Sequence, residues 1–267
     1  MDKLRFLKEL IKARKNLLVA FSGGVDSTLV AKVAYDVLGT NALAVTADSC
    51  TLSRKELELA KKTAKEIGIS HKIIKFSELE NKEFARNPVN RCYYCRKELA
   101  LQLKKIAKQE EIENIADGVN SSDLKEHRPG IKAANEQNIW HPLVEAKIGK
   151  DDVRALAKRL KLSVSTKPSN ACLASRIPYN EGITEQKLKR IEKAEEYLKK
   201  FGFAQVRVRA HENIARIEVE SKDIDKIINP KVMAKIIKKL KQLGFVYITL
   251  DLEGYRAGSM DEVLKNK

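Results

Sequence analysis

Three stretches of this chain gather residue types that can do chemistry. Residues 22–27 read SGGVDS. Two glycines let backbone N–H groups come close to a ligand. Ser22, Ser27 and Thr28 add hydroxyl donors where a helix starts, and there the unsatisfied amides and the dipole favour an anion. The stretch reads as a phosphate cradle. It is neither a Walker loop, G-x-x-x-x-G-K-[ST], nor a dinucleotide fingerprint, G-x-G-x-x-G, and no lysine follows the glycines. Residues 87–97, NPVNRCYYCRK, hold Cys92 and Cys95 at the spacing of a metal or redox pair. Arg91, Arg96 and Lys97 at the start of a predicted helix favour the thiolate, the form that binds metal and attacks electrophiles. Residues 162–179, LSVSTKPSNACLASRIPY, show no periodicity and carry Cys172 between Lys167 and Arg176. A cysteine on an irregular basic loop reads as reactive or ligating before it reads as filler.

These residues need elements to hold them. Residues 16–21 are an apolar run of strand length, and 28–38 carry apolar residues at helical spacing, so SGGVDS joins a strand to a helix. A strand over 42–47, a helix over 53–67 with Ser53 and Glu56 in a capping pattern, and a strand over 72–76 follow. The cysteine pair opens a helix reaching about residue 108, ahead of a strand at 114–116. A helix over 131–137, a strand over 139–143 and a helix over 150–161 complete this half. The alternation predicts an α/β fold, a parallel sheet with helices on both faces. Ligands of such sheets sit beyond the carboxyl ends of the strands, so 47–49 and 117–122 (DGVNSS) should border the crevice of 22–27. Asp48 and Asp117 are then contacts to adenosine or magnesium, or simply helix caps. Trp140 and His141 read as core and sheet-end residues and His127 as a loop residue; no third histidine completes a zinc site.

From Thr184 the character changes. A charged helix over 184–200 opens with Thr184 and Glu185. A hairpin of strands 204–210 and 215–220, helices near 222–228 and 230–242, and a strand over 245–251 follow, making a smaller α+β unit. The expected domains are 1–176 and 177–267. Arg207 and Arg209 share one face of a strand as a fork for a phosphate or carboxylate, and Glu218 and Glu220 share a face of its partner. A cross-strand salt-bridge ladder on a solvated sheet is the plainer reading of the same four residues.

Across 267 residues, 52 Lys plus Arg against 36 Asp plus Glu give a net charge of +16. That excess favours nucleotides, phosphorylated small molecules or RNA, although runs such as 235–241 (KIIKKLK) also fit the solvated face of an amphipathic helix. No apolar run reaches membrane-spanning length, and residues 1–15 form an amphipathic helix unlike a secretory signal, so a cytoplasmic protein is expected. Four cysteines in such a chain point to metal or thiol chemistry before structural disulfides.

The loop SGGVDS resembles the pyrophosphate loop of the ATP pyrophosphatase (PP-loop) superfamily. Taken with NRCYYC at 90–95 and KPSNACLASRIPY at 167–179, it resembles the LarE family of ATP-dependent sulfur transferases, which act in assembly of the nickel-pincer nucleotide cofactor of lactate racemase. The likeness covers essentially the whole chain. It implies a PP-loop fold of the adenine nucleotide alpha hydrolase kind. It also implies a pyridinium-3,5-biscarboxylic acid mononucleotide substrate, adenylated on a carboxylate by Mg-ATP with loss of pyrophosphate and then attacked by sulfur. On the matching motifs, Ser22, Gly23, Gly24, Asp26, Ser27 and Gly118 would hold ATP. Ser175 and Arg176 would face the substrate beside Cys172, and Arg207 with Arg209 would clamp its phosphate. Lys97, Glu195 or Glu196, and Glu218 would help position substrate or magnesium.

The family supplies sulfur in two ways. A lone cysteine at the CLASR position gives up its own sulfur and is left as dehydroalanine. Members with two further cysteines resemble this chain, where Cys92, Cys95 and Cys172 would hold three irons of a 4Fe-4S cluster whose fourth iron carries an exchangeable sulfide. The three cysteines favour the cluster. A sulfide donor and a homo-oligomer built through the C-terminal unit follow from the same resemblance. Cys50 reads as a small, partly buried residue. A transfer-RNA thiolation enzyme using an iron-sulfur cluster is the alternative and suits the charge, but no RNA-binding module is evident, so nucleic acid is not the expected partner. An amide-forming synthetase of the NAD or GMP type would need ammonia and no cysteine.

Overall fold

The first strand is apolar on both faces because it is covered on both. In the computed structural model, which describes residues 2–125, 128–168 and 170–265, helix α1 (Lys3–Lys12) precedes strand β1 (Leu17–Ala20). Asp2 caps α1 by accepting from the Leu4 N–H at 3.0 Å, and Leu4, Leu7 and Ile11 form its buried stripe. Then come α2 (Val25–Leu38), β2 (Ala42–Asp48), α3 (Arg54–Ile67), β3 (Ser70–Lys75), α4 (Lys82–Ala85), α5 (Arg91–Gln109), β4 (Ile115–Ala116), α6 (Pro129–Glu136), α7 (Pro142–Glu145) and α8 (Lys150–Arg159). The four strands pair in parallel in the order β3-β2-β1-β4. Leu17 and Val19 point into a core shared with α1, α2, α3 and α8. Leu18 points the other way, to Leu43, Val45 and the Ala100, Leu103 and Ala107 stripe of α5. The expected α/β sheet with helices on both faces is present.

One expected strand is absent. Over 139–143 only Trp140 bridges to Ala116, and the chain then turns into α7. Pro142 has no N–H to give to a ladder, whereas the first helical position loses nothing by that.

The chain divides into two compact units, one of residues up to Phe84 with Asn90–Asn170, the other of Ala85–Val89 with the residues from Ala171 onward. The sequence reading divides its domains after residue 176. The short 85–89 segment belongs with the second unit because Asn87 donates its side-chain amide to the Pro178 carbonyl at 2.7 Å. The Ala85 and Asn87 carbonyls also receive the Ile183 and Asn180 N–H groups, at 2.8 and 2.9 Å.

The second unit contains α9 (Glu185–Lys199), β5 (Val206–His211), β6 (Ile214–Val219), α10 (Ile224–Ile228), α11 (Pro230–Gln242), β7 (Tyr247–Leu250) and α12 (Glu262–Lys265). Thr184 caps α9 by accepting from the Lys187 N–H at 3.2 Å. The sheet runs β5-β6-β7, antiparallel in the first pair and parallel in the second. Residues 206–210 are all buried, so the arginine-bearing face of β5 is not the solvated surface that period-two alternation suggests.

Candidate functional site

The phosphate loop is shaped by its own hydroxyls. Ser22 receives the Gly24 N–H at 3.2 Å, and its own N–H goes to Ser27 Oγ at 3.2 Å. Ser27 donates to the Gly24 carbonyl at 3.2 Å, and the two serine oxygens lie 3.1 Å apart. Two glycines are sterically required. Gly23 has φ +66°, and a Cβ there would sit 2.8 Å from Ala60 Cα of α3. Gly118, after β4, presses on the loop from the other side, where a Cβ would stand 2.6 Å from the Ser27 nitrogen. A side chain at either position would push the loop off its seat.

Loop and β4 turn together line a cleft of about 300 Å³ whose walls include Ser22, Gly24, Asp26, Ser27 and residues 117–120. It lies at the carboxyl ends of β1 and β4, where the sheet order departs from the chain order, the place where open α/β sheets take ligands. Arg96, Asp123, Arg128 and Lys150 complete the lining. Asp117 is buried and receives Arg96 Nη2 at 3.0 Å and the Val119 N–H at 3.0 Å, with His141 Nδ1 at 2.7 Å. Burial pushes its carboxyl up, but Arg96 and His141 outweigh that and hold it below the usual range. Asn135 lies 2.9 Å from the far imidazole nitrogen, Nε2. Asp26 goes the opposite way. It accepts from the Asn120 amide at 2.9 Å, yet desolvation, with Asp123 nearby, raises its carboxyl. A carboxylate raised by burial at the mouth of an anion cradle is one that a divalent cation would ionise. Asp48, by contrast, does not line this cleft and is held by Arg54 at 2.5 Å.

Arg96 ties the cysteine helix to this cleft. Cys92 and Cys95 occupy the first turn of α5, exposed and half-buried respectively, and their i, i+3 spacing puts them on one face of it. Lys97 is exposed and is not part of the lining. Cys172 belongs to the second unit, exposed, at the start of a short 3-10 turn over Leu173–Arg176, and Cys50 is half-buried after β2. Among the described residues no group of three or more His, Cys, Asp or Glu side chains could hold a metal ion. His127 lies outside the described residues.

In the second unit the arginines do different jobs. Arg176, 1% exposed, forms a two-point pair with Glu195 at 2.9 and 3.2 Å and donates to the carbonyls of Ala171 and Cys172 at 2.7 and 3.0 Å. Ser175 Oγ also donates to the Cys172 carbonyl, at 2.8 Å. Both residues assigned to face the substrate therefore shape the backbone beside Cys172. Burial raises the Glu195 carboxyl, but Arg176 more than reverses this and leaves it below its ordinary value. Arg209 makes a two-point pair with the fully buried Glu218 at 3.0 and 2.7 Å and also donates to Ser259 and the Ser175 carbonyl. Glu196 is exposed, and Glu220 pairs with Lys222 instead of joining the ladder. Arg207, unlike Arg176 and Arg209, is not paired with a carboxylate. It donates to the Val206 carbonyl at 2.9 Å, lies over the Tyr255 ring at 5.2 Å and makes no ion pair among the described residues. Desolvation and the neighbouring Arg176 charge lower its pKa. A buried guanidinium under that pressure is stabilised by any anion that reaches it.

Sequence reasoning placed the loop, the 117–122 turn with Gly118 and Asn120, and the arginine hairpin; it gave Arg96 and His141 other roles and missed Asp123, Arg128 and Lys150. Asp123 had a signal, since it directly follows DGVNSS at the end of a strand of the same sheet. The rest reach the cleft only through tertiary packing.

Comparison with known proteins agrees with this geometry. A sequence-family model described as NAD synthase matches residues 2–89. An uncharacterized protein of Synechocystis sp. is 45% identical over 263 residues, covering 98% of each chain. An uncharacterized protein of Methanocaldococcus jannaschii is 36% identical over 94% of this chain and 99% of its own length. Pyridinium-3,5-bisthiocarboxylic acid mononucleotide synthase of Lactiplantibacillus plantarum is 37% identical over 257 residues, 95% of this chain and 92% of that protein. With an end-to-end match of that kind and a phosphate loop seated at the sheet's switch point, the chain belongs to the LarE family of PP-loop enzymes.

Proposed function

We propose that the chain inserts sulfur into pyridinium-3,5-biscarboxylic acid mononucleotide at the expense of ATP. The observation that carries this reading is the cleft of 22–27 and 117–120, a polyphosphate cradle in a chain whose synthase relative aligns along nearly its whole length. The Ser22, Gly24 and Ser27 donors would take the ATP phosphates. Asp26, a carboxylate facing a polyanion, makes sense there with Mg2+ between them. A substrate carboxylate oxygen attacks the α-phosphorus and pyrophosphate leaves. Sulfur then attacks the acyl carbon, and AMP departs with the carboxylate oxygen, leaving the thiocarboxylate. Arg96, held by Asp117, whose other oxygen meets His141, would screen the negative charge that builds during the first displacement.

In this reading 1–176 is the ATP pyrophosphatase domain and 177–267 the substrate-binding domain, through which a homo-oligomer forms. Arg207 would take the substrate phosphate, with Arg209 and Glu218 holding the hairpin beneath it and Lys97 a further substrate contact. Cys92, Cys95 and Cys172 would hold three irons of a 4Fe-4S cluster, a reading supported by the shared first turn of α5 that carries the first two. When bound, that cluster would carry a sulfide, renewed by a sulfide donor. Arg176 and Ser175 orient the Cys172 backbone.

The test is an oxygen-free reaction with ATP and the dicarboxylate mononucleotide. Pyrophosphate release that requires the substrate, together with a product in which sulfur replaces a carboxylate oxygen, supports the reading; ADP and phosphate as products would reject it. More than one product per chain, lost in Cys92→Ala and Cys95→Ala, favours the cluster over sacrifice of Cys172.

A further inference from the structure

Lys167 opens the KPSNACLASR stretch, and neither the phosphate chemistry nor the cysteines explain it. Its ammonium lies 3.0 Å from the carbonyl oxygen of Gly23 and 2.5 Å from Glu56 Oε2, and the side chain is 15% exposed. The other carboxylate oxygen of Glu56 receives the Asn170 side-chain amide at 3.1 Å. Glu56 stands three residues after the α3 cap Ser53, which accepts the Glu56 N–H at 3.3 Å. In a capping box that glutamate would reach back to the cap's own N–H. Here its oxygens instead meet Lys167 and Asn170.

The geometry at Gly23 gives this contact a consequence. In a trans peptide the carbonyl and the following N–H point in opposite directions, so a partner that fixes the Gly23 oxygen also fixes the Gly24 N–H. That N–H faces Ser22 Oγ, and both Ser22 and Gly24 line the cleft. The Gly23 backbone sits in the left-handed region, where glycine is intrinsically loose, so an external partner is what would select one peptide orientation. We propose that Lys167, held by Glu56, is a positioning residue that sets the peptide plane of the phosphate loop for ATP. The same clamp anchors the last residues of the first unit, two positions before Cys172, to the element that binds the nucleotide. This inference rests on the reading that the loop takes ATP.

Calorimetric titration of the full-length protein with a non-hydrolysable ATP analogue and Mg2+ tests it. Lys167→Met is expected to bind about tenfold more weakly, the loss of one charge-assisted hydrogen bond. Lys167→Arg, which keeps a cation within reach of the Gly23 carbonyl, should recover most of the affinity, a rescue that a mere packing role would not produce. Parent-like affinity in Lys167→Met overturns the proposal. If that variant does not fold, Glu56→Gln decides: severalfold weaker binding supports the clamp and unchanged binding overturns it. A parent protein that fails to bind the analogue would instead overturn the function on which the inference rests.

Discussion

The two units handle charge in opposite ways. Around the phosphate loop the polar groups are short and bond to near neighbours at the cleft wall: serine hydroxyls, the Gly24 amide and Asp26, whose carboxyl is pushed up by burial. Around the β5–β6 hairpin charges are long, buried and already matched, Arg176 to Glu195 and Arg209 to Glu218, with Arg207 left over. An open cradle suits a nucleotide that must enter and leave. A matched lattice suits a loop that is held rigid, and an anion reaching Arg207 would be stabilised there.

The largest effect should come from unmatching the lattice. Glu195→Ala leaves Arg176 buried without its carboxylate and should cost about 3–5 kcal/mol in urea unfolding. A cost under about 1 kcal/mol would show that the pair is solvent-screened and the contrast between the units false. Next, Gly118→Ala puts a methyl 2.6 Å from the Ser27 nitrogen. It should cost about 1–3 kcal/mol of stability, by the usual range for overpacking. ATP affinity should fall by more than that loss explains, as read by titration of the folded variant.

Arg207→Met and Arg209→Met sharpen the comparison within the hairpin. The second should lower stability by about 2–4 kcal/mol because Glu218 stays buried. The first should change stability by less than about 1 kcal/mol but weaken mononucleotide binding by about tenfold or more, the worth of a charge-assisted contact. Equal effects in the two variants would erase the distinction between matched and unmatched arginine.

Two buried carboxyls, Glu195 and Asp26, shift in opposite directions. Glu195 is depressed in the fold, so its contribution is present above its unfolded pKa of about 4.3 and disappears as pH falls through its folded value. Asp26 is raised, so its contribution is present below about 3.9 and is lost as pH rises through its folded value. Glu195→Gln should therefore flatten the acid limb of the stability profile, and Asp26→Asn should flatten the opposite slope; matching changes in both would contradict the assignment. The smallest effect is expected at the surface pair Lys32–Asp36, one helical turn apart on α2, where Asp36→Ala should cost about 0.5 kcal/mol or less.

Local order was legible in the sequence. SGGVDS between an apolar run and a helical pattern located the cradle, and alternation located the hairpin. What could not be read was tertiary. Arg96 looks like one more basic residue beside the cysteines until α5 packs on the sheet and Asp117 receives it. Glu56 looked like a capping-box acid, and only the return of the chain at 167–170 diverts it. The arginines of β5 looked solvated because alternation with valine usually marks a wet face. Tertiary packing buries that face: Glu218 of β6 neutralises Arg209 nine positions away, and Glu195 of α9 accepts the Val208 N–H thirteen positions away.

The most direct measurement follows an oxygen atom. With 18O in the substrate carboxylates, adenylation at the 22–27 cradle predicts label in the phosphate group of AMP, one atom for each thiocarboxylate formed. Unlabelled AMP, or label appearing in inorganic phosphate, would contradict carboxylate adenylation and with it the account of this cleft.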